Sequence, residues 1–288
     1  MDGIKGSVIM GRIQIVTDST GELTKSEIEL YNIHVVPLSI QINNETYIDG
    51  VNLNPIEFLE KMAESTELPK SSQPAVGVFK ELFDEIGKNG DEVLVITMTG
   101  SMSGTVKSAE AAATMTDTNV VVVDSRFTSF GLGFQVLEAA QMAKEGKSMD
   151  EILQRIDYVR EHTHLFVVVD TLENLVKGGR IGKGMGMIGS LLNIKPIANL
   201  ETGDYNPVAK VRSHKQVVKY LTNQYIQDTE GRVVRGVGIA HANGLEMANP
   251  LKTRIEETGY HDVKFGYTSP IISTHTGPGA IGFSYYTD

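Results

Sequence analysis

Two short runs, Val93-Leu94-Val95-Ile96 and Val120-Val121-Val122-Val123, contain no polar residue at all. A strand with one solvated face alternates apolar and polar residues. A strand without alternation is buried on both faces, the condition of a parallel sheet with helices above and below it. Between the two runs, Val106, Ala109 and Ala113 recur at helical spacing, which supplies the crossover that parallel neighbours need. These features predict an α/β fold.

The first run leads directly into Thr97, Thr99, Gly100, Ser101, Ser103, Gly104 and Thr105, with a helix expected from near Ser103 to about Met115. A strand, a Gly/Ser turn and a helix start present free backbone N–H groups and the positive end of a helix dipole. Such a turn can be an anion site or simply a well-capped connection.

Other elements follow the same alternation. Ile13–Val16 and His34–Ile40 read as strands, and Thr24-Lys25-Ser26-Glu27 has capping-box spacing. Asn54 before Pro55 starts a helix to about Ala63. Ser71-Ser72-Gln73-Pro74 is expected to open another, with Val76, Phe79, Phe83 and Ile86 on one face. A helix follows Thr128–Gly133 to about Lys144, and Ser148-Met149-Asp150-Glu151 is a second capping box. After His164 the texture changes: Leu165–Asp170 is a strand, Thr171–Val176 a short helix, and Lys177–Ser190 is Gly-rich. Ile194–Ile197 and Pro207–Val211 look like strands of a second sheet, joined through a turn at Gly203-Asp204. Helices near Ser213–Asp228 and Gly244–Glu257 bracket a strand at Val234–Ala240, and the chain closes with Lys264–Tyr267, Pro270-Ile271-Ile272 and a loop, Ser273–Ala280. The expected division is an N-terminal α/β domain, residues 12–162, and a C-terminal α/β domain, 163–288. Residues 1–11 read as an extension ahead of the first strand.

The chain has 288 residues and a formal net charge of −10, which disfavours nucleic acid as the main partner. No apolar run approaches the roughly 20 residues that span a bilayer, and MDGIKGSVIMGR carries no secretory pattern, so a cytoplasmic protein is expected. The absence of cysteine excludes disulfides, thiolate metal sites and cysteine nucleophiles, and the scattered histidines suggest no metal site. Gly184–Gly189 matches G-x-G-x-x-G without a preceding strand. Gly178–Lys183 is one residue short of a phosphate loop, and Gly184 stands where Ser or Thr is required. In Gly100-Ser101-Met102-Ser103-Gly104 the centre is methionine, not the serine of a nucleophile elbow.

Three hydroxyl-rich stretches survive elimination: Ser71-Ser72-Gln73-Pro74, Ser101–Thr105 and Thr274-His275-Thr276. They offer neutral donors and one titratable group with little bulk, which suits holding a carboxylate or phosphate.

Together with Thr17-Asp18-Ser19-Thr20, Val123-Asp124-Ser125, Lys177-Gly178-Gly179-Arg180-Ile181, Lys195-Pro196-Ile197 and Gly277-Pro278-Gly279-Ala280, these motifs run in the order found in the DegV family, which the chain resembles from about residue 13 to its C-terminus. The resemblance implies two α/β domains with a long-chain fatty acid between them. It is similar in particular to the fatty-acid-binding subunits of bacterial fatty acid kinase. Carried over, the carboxylate site falls on Ser71, Ser103 and His275, with Ser72, Thr274 and Thr276 in support. Ala75 stands where many members have serine, which removes a fourth hydroxyl ligand, and Val106 where an aromatic is common, which would alter the pocket wall and so chain preference. Gly178–Leu192 becomes a candidate lid. Arg180 and Arg212 are candidates for head-group or partner contact, the latter within a basic cluster of Lys210, Arg212, His214, Lys215 and Lys219.

The resulting expectation is a carrier with no catalytic residues and no cofactor. It would present the fatty acid to an ATP-dependent kinase that makes acyl phosphate for phospholipid synthesis, with transient membrane contact. The rival expectation is a serine hydrolase of lipid esters using Ser103 and His275, with Asp18 or Asp124 as the orienting acid.

Overall fold

The structure is a computed structural model that describes residues 11–187 and 194–288. The first half contains β1 (Ile13–Asp18), α1 (Lys25–Tyr31), β2 (His34–Val36), β3 (Ser39–Ile42), β4 (Glu45–Ile48), α2 (Pro55–Glu64) and β5 (Lys70–Ser72). It continues with α3 (Val76–Gly87), β6 (Glu92–Thr97), α4 (Thr105–Ala113), β7 (Val120–Asp124), α5 (Ser129–Lys144) and α6 (Met149–Glu161). Strands β2-β1-β6-β7 form a fully parallel sheet in that order. The lack of alternation in β6 has the expected cause. Val93 and Val95 pack with Phe79, Phe83, Ala109 and Ala112 of α3 and α4, while Leu94 and Ile96 pack with Leu132, Val136, Ile152 and Ile156 of α5 and α6.

The second half contains β8 (Thr163–Val168), α7 (Glu173–Lys177), β9 (Lys195–Asn199), β10 (Asn206–Val211), α8 (His214–Thr229), β11 (Val234–His241), α9 (Leu245–Glu256), β12 (Val263–Tyr267), α10 (Pro270–Thr276) and β13 (Ile281–Thr287). Its six-stranded sheet has the order β10-β9-β8-β13-β11-β12, and only β11 and β12 run parallel. One face is covered by α8 and α9 through Val217, Leu221, Met247 and Leu251. On the other, Phe130 and Phe134 of α5 pack with Ala240 and Tyr286. Helix α5 therefore lies between the two sheets, which explains why it is apolar around most of its circumference. The expected α/β class, with a parallel-sheet N-terminal domain and a second α/β domain, is the observed one.

Several local expectations are corrected. The strand expected over His34–Ile40 is broken at Pro37-Leu38: β2 stays in the parallel sheet, and β3 turns into a separate three-stranded antiparallel sheet, β4-β3-β5. Ser71 and Ser72 belong to β5, and α3 starts only at Val76 behind Ala75, which has no capping side chain. Helix α4 begins at Thr105, two residues later than expected. His275 is on α10 and not in a loop, because Ser269 caps and Pro270 starts a helix that continues to Thr276. Strand β13, unforeseen, is central to its sheet. The N-terminal extension up to residue 10, and residues 188–192 of the candidate lid, lie outside the described residues. Of the lid, Gly182–Met187 form a 3-10 turn.

Candidate functional site

Between the two halves lies a cavity of about 300 Å³, at the lower end of the usual range for small-molecule sites. Leu38, Met98, Met102, Val167, Leu200 and Ile271 supply apolar wall. Tyr205 also lines it, deeply buried, and its hydroxyl has no hydrogen-bond partner. Ser71, Ser72, Gln73, Ser103, Arg180, His275 and Thr276 bring polar atoms to the same cavity, and of the described lining residues Arg180 alone carries a permanent formal charge.

Each polar group is fixed by its own element. Ser71 stands on the edge strand β5, opposite Ile40 of β3. Ser103 lies in the turn before α4. Its N–H donates to the Thr99 carbonyl at 3.2 Å, and its Oγ accepts from Thr105 N at 3.3 Å and pairs with Thr105 Oγ1 at 2.8 Å. Gln73 locks these two segments together. Its Nε2 donates to Ser108 Oγ at 2.9 Å, and its carboxamide crosses Gly104 so closely that a Cβ there would meet Oε1 at 2.0 Å. Only glycine fits that approach.

His275 reaches back from α10, and its Nε2 and Ser71 Oγ share a 2.7 Å hydrogen bond. The other ring nitrogen, Nδ1, is buried without a partner against Gly178, where a Cβ would come within 2.3 Å of it. Burial, reinforced by the Arg180 charge, pushes His275 down to about 4, so the ring is neutral near pH 7. Arg180 ties its own segment to the turn before α4: Nε donates to the carbonyl of Met102 at 2.9 Å and Nη1 to that of Gly178 at 2.6 Å.

Of the residues expected from sequence, Ser71, Ser72, Ser103, Thr276, Arg180 and His275 line the cavity. Thr274 does not: it is fully buried, with its hydroxyl on the Pro270 carbonyl. Arg212 is exposed beyond β10, away from the cavity, and its backbone N–H donates to Gln216 Oε1. Val106 is buried on α4 and is not among the residues that line the cavity. Sequence reasoning missed Gln73 as a clamp and the apolar wall as a set. The wall residues come from many separate elements, and no periodicity links them.

The hydrolase arrangement is not assembled. His275 pairs with Ser71, whereas Ser103 pairs with Thr105. Asp18 accepts from Thr20 and from Met98 N–H, and Asp124 accepts from the N–H groups of Gly100 and Arg126. Among the described residues, no group of three or more His, Asp or Glu converges as a metal site.

Comparison with known proteins agrees with this architecture. Residues 12–288 match the model of the DegV family, described as uncharacterised proteins. A DegV domain-containing protein of Listeria monocytogenes is 44% identical over 281 residues, 97% of this chain and 100% of the relative. One from Staphylococcus aureus is 41% identical over 269 residues, 93% of this chain and 96% of the relative. Among solved structures, a fatty-acid-binding DegV family protein from Thermus thermophilus superposes with a TM-score of 0.91 at 31% identity, covering 96% of this chain and all of the other. DegV from Bacillus subtilis, a fatty-acid-binding protein, gives 0.88 at 32%, with coverage of 96% and 100%.

Proposed function

The chain belongs to the DegV family, and on that premise we propose that it is a carrier whose cavity holds a long-chain fatty acid, with the carboxylate at Ser71, Ser103 and His275. The observation that carries this reading is the make-up of the cavity: an apolar wall, neutral donors and one permanent charge, the Arg180 guanidinium. Each buried methylene contributes about 0.8 kcal/mol, so roughly a dozen give on the order of 10 kcal/mol before ordering costs. A desolvated carboxylate is costly unless hydrogen-bonded, and hydroxyl and imidazole donors beside an arginine meet that need. The solved fatty-acid-binding relatives from Thermus thermophilus and Bacillus subtilis support the same ligand class.

In this reading the chain breaks no bond. It presents the carboxylate to an ATP-dependent fatty acid kinase, in the cytoplasm, for an acyl phosphate that feeds phospholipid synthesis. Residues 12–162 and 163–288 act as the two domains that enclose the chain. The exposed Lys210, Arg212, Lys215 and Lys219, conspicuous on an acidic protein, form the face that meets the kinase or an anionic membrane.

Native mass spectrometry of the purified protein tests the ligand. A mass increment matching one fatty acid, lost on organic extraction and restored by added palmitate or oleate, is the expected result. Protein that arrives empty and takes up neither acid overturns the reading. Acyl phosphate formation on adding a kinase subunit and ATP tests the presenting role separately.

A further inference from the structure

Glu22 occupies the turn after β1, where a solvated carboxylate is the ordinary expectation. The residue keeps partial exposure, but its carboxyl group is enclosed. Oε1 accepts from Thr268 Oγ1 at 2.6 Å and from Ser269 N–H at 3.1 Å, 246 and 247 residues away in sequence. Ser269 is the residue that caps α10, its Oγ accepting from Ile272 N–H. The Glu22 backbone sits at φ 52°, a left-handed conformation uncommon outside glycine.

Helix α10 has only seven residues, and a helix that short has no stability of its own. Its first turn fixes its second, and the second carries His275. Two neighbouring acids do comparable work on other walls. Asp18 accepts from Met98 N–H at 2.7 Å, and Asp49 holds Ser19, whose Oγ accepts from Leu38 N–H at 3.2 Å. Met98 and Leu38 both line the cavity. The three carboxyls do not converge as a cation cage.

We propose that Glu22 is a positioning residue for the carboxylate-holding end of the cavity: by anchoring Thr268 and Ser269 it sets α10, and through α10 the placement of His275 against Ser71. The link to ligand retention rests on the fatty-acid reading above; the link to His275 does not. Burial, with Asp49 adding repulsion, pushes the Glu22 carboxyl up to about 8, so near pH 7 it accepts these bonds as a neutral acid. Asp49 is itself pushed up to about 7, mainly by burial, with repulsion from Asp18 adding. Glutamine is therefore a close stand-in for Glu22, and leucine is not.

The test follows the His275 ring by NMR in the lipid-free full chain, assigned with His275→Gln, in parent, Glu22→Gln, Glu22→Leu and Thr268→Val proteins. Palmitate affinity is measured alongside. Glu22→Gln is expected to keep the parent ring shifts and affinity. Glu22→Leu and Thr268→Val are expected to move the ring signals, raise the His275 pKa from about 4 towards 6.5, and weaken palmitate binding at least fivefold. Unmoved His275 signals in both variants overturn the proposal, and if Glu22→Leu does not fold, Thr268→Val decides alone. A parent that binds no palmitate defeats the fatty-acid reading, while the ring signals still judge Glu22.

Discussion

Ser71 and His275, separated by 204 residues in sequence, share a 2.7 Å hydrogen bond in the lining of a largely apolar cavity. The bond joins an edge strand of the small antiparallel sheet to the last turn of α10, so one interaction brings distant parts of the chain to the same ligand end. His275 Nδ1 has no partner among the described residues, so none of their carboxylates orients the ring as a hydrolytic triad requires.

On the proposed fatty-acid reading, Ser103→Ala and His275→Ala each delete a donor to the charged head group, an expected loss of about 1.5–3 kcal/mol, or roughly 10- to 100-fold in affinity. Quantifying co-purified fatty acid and measuring displacement of a fluorescent fatty acid check this. Parent-like retention in both variants refutes the carboxylate assignment.

Acid sensitivity follows from His275. Its folded-state value, about 4, lies below its ordinary 6.5, so the unfolded chain binds the extra proton first as pH falls. Its contribution is complete above about 6.5 and is lost between 6.5 and 4, up to about 3 kcal/mol. Melting temperatures across that window should fall more steeply for the parent than for His275→Gln; equal slopes count against the neutral buried ring.

Arg180→Met tests the role of charge. It removes the cation beside His275, so the histidine value should rise, and discrimination for fatty acid over the fatty alcohol of equal length should shrink about tenfold. Competition binding with the matched pair reads the ratio directly, and an unchanged ratio means that the guanidinium does not see the head group.

Gly104→Ala probes the clamp between the two serine segments. The added methyl meets the Gln73 carboxamide, which must shift and so strain or lose its bond to Ser108, at a cost of about 0.5–1.5 kcal/mol. Combined with Gln73→Ala, the loss should be smaller than the sum of the two single effects, which denaturant titration of all four proteins can establish.

The parts of the fold governed by local periodicity were readable in advance. The apolar run of β6, the paired capping residues of α1 and α6 and the proline start of α2 each carry a local physical cause. Strand β5 escaped, because Lys70-Ser71-Ser72 has no apolar pattern and exists as a strand only through its bonds to β3. Strand β13 escaped as well, with Gly282 and Ser284 interrupting its aromatic residues inside a sheet that buries it from both sides. In the site, hydroxyl-rich stretches could be recognised as anion-friendly, but their assignment to one carboxylate came from family resemblance. Ser71 and His275 meet only through tertiary packing. Glu22 carries no local signal of its enclosure, because what encloses it comes from the far end of the chain.

Helix α5, set between the two sheets, makes the protein a body without a seam. Leu132 and Val136 belong to one core, Phe130 and Phe134 to the other. Swinging the sheets apart like covers of a book would strip α5 from one of them and bring one of these pairs into water, a penalty of several kcal/mol. If the cavity holds a fatty acid as proposed, its passage is expected to be a local event, confined to segments that α5 does not hold.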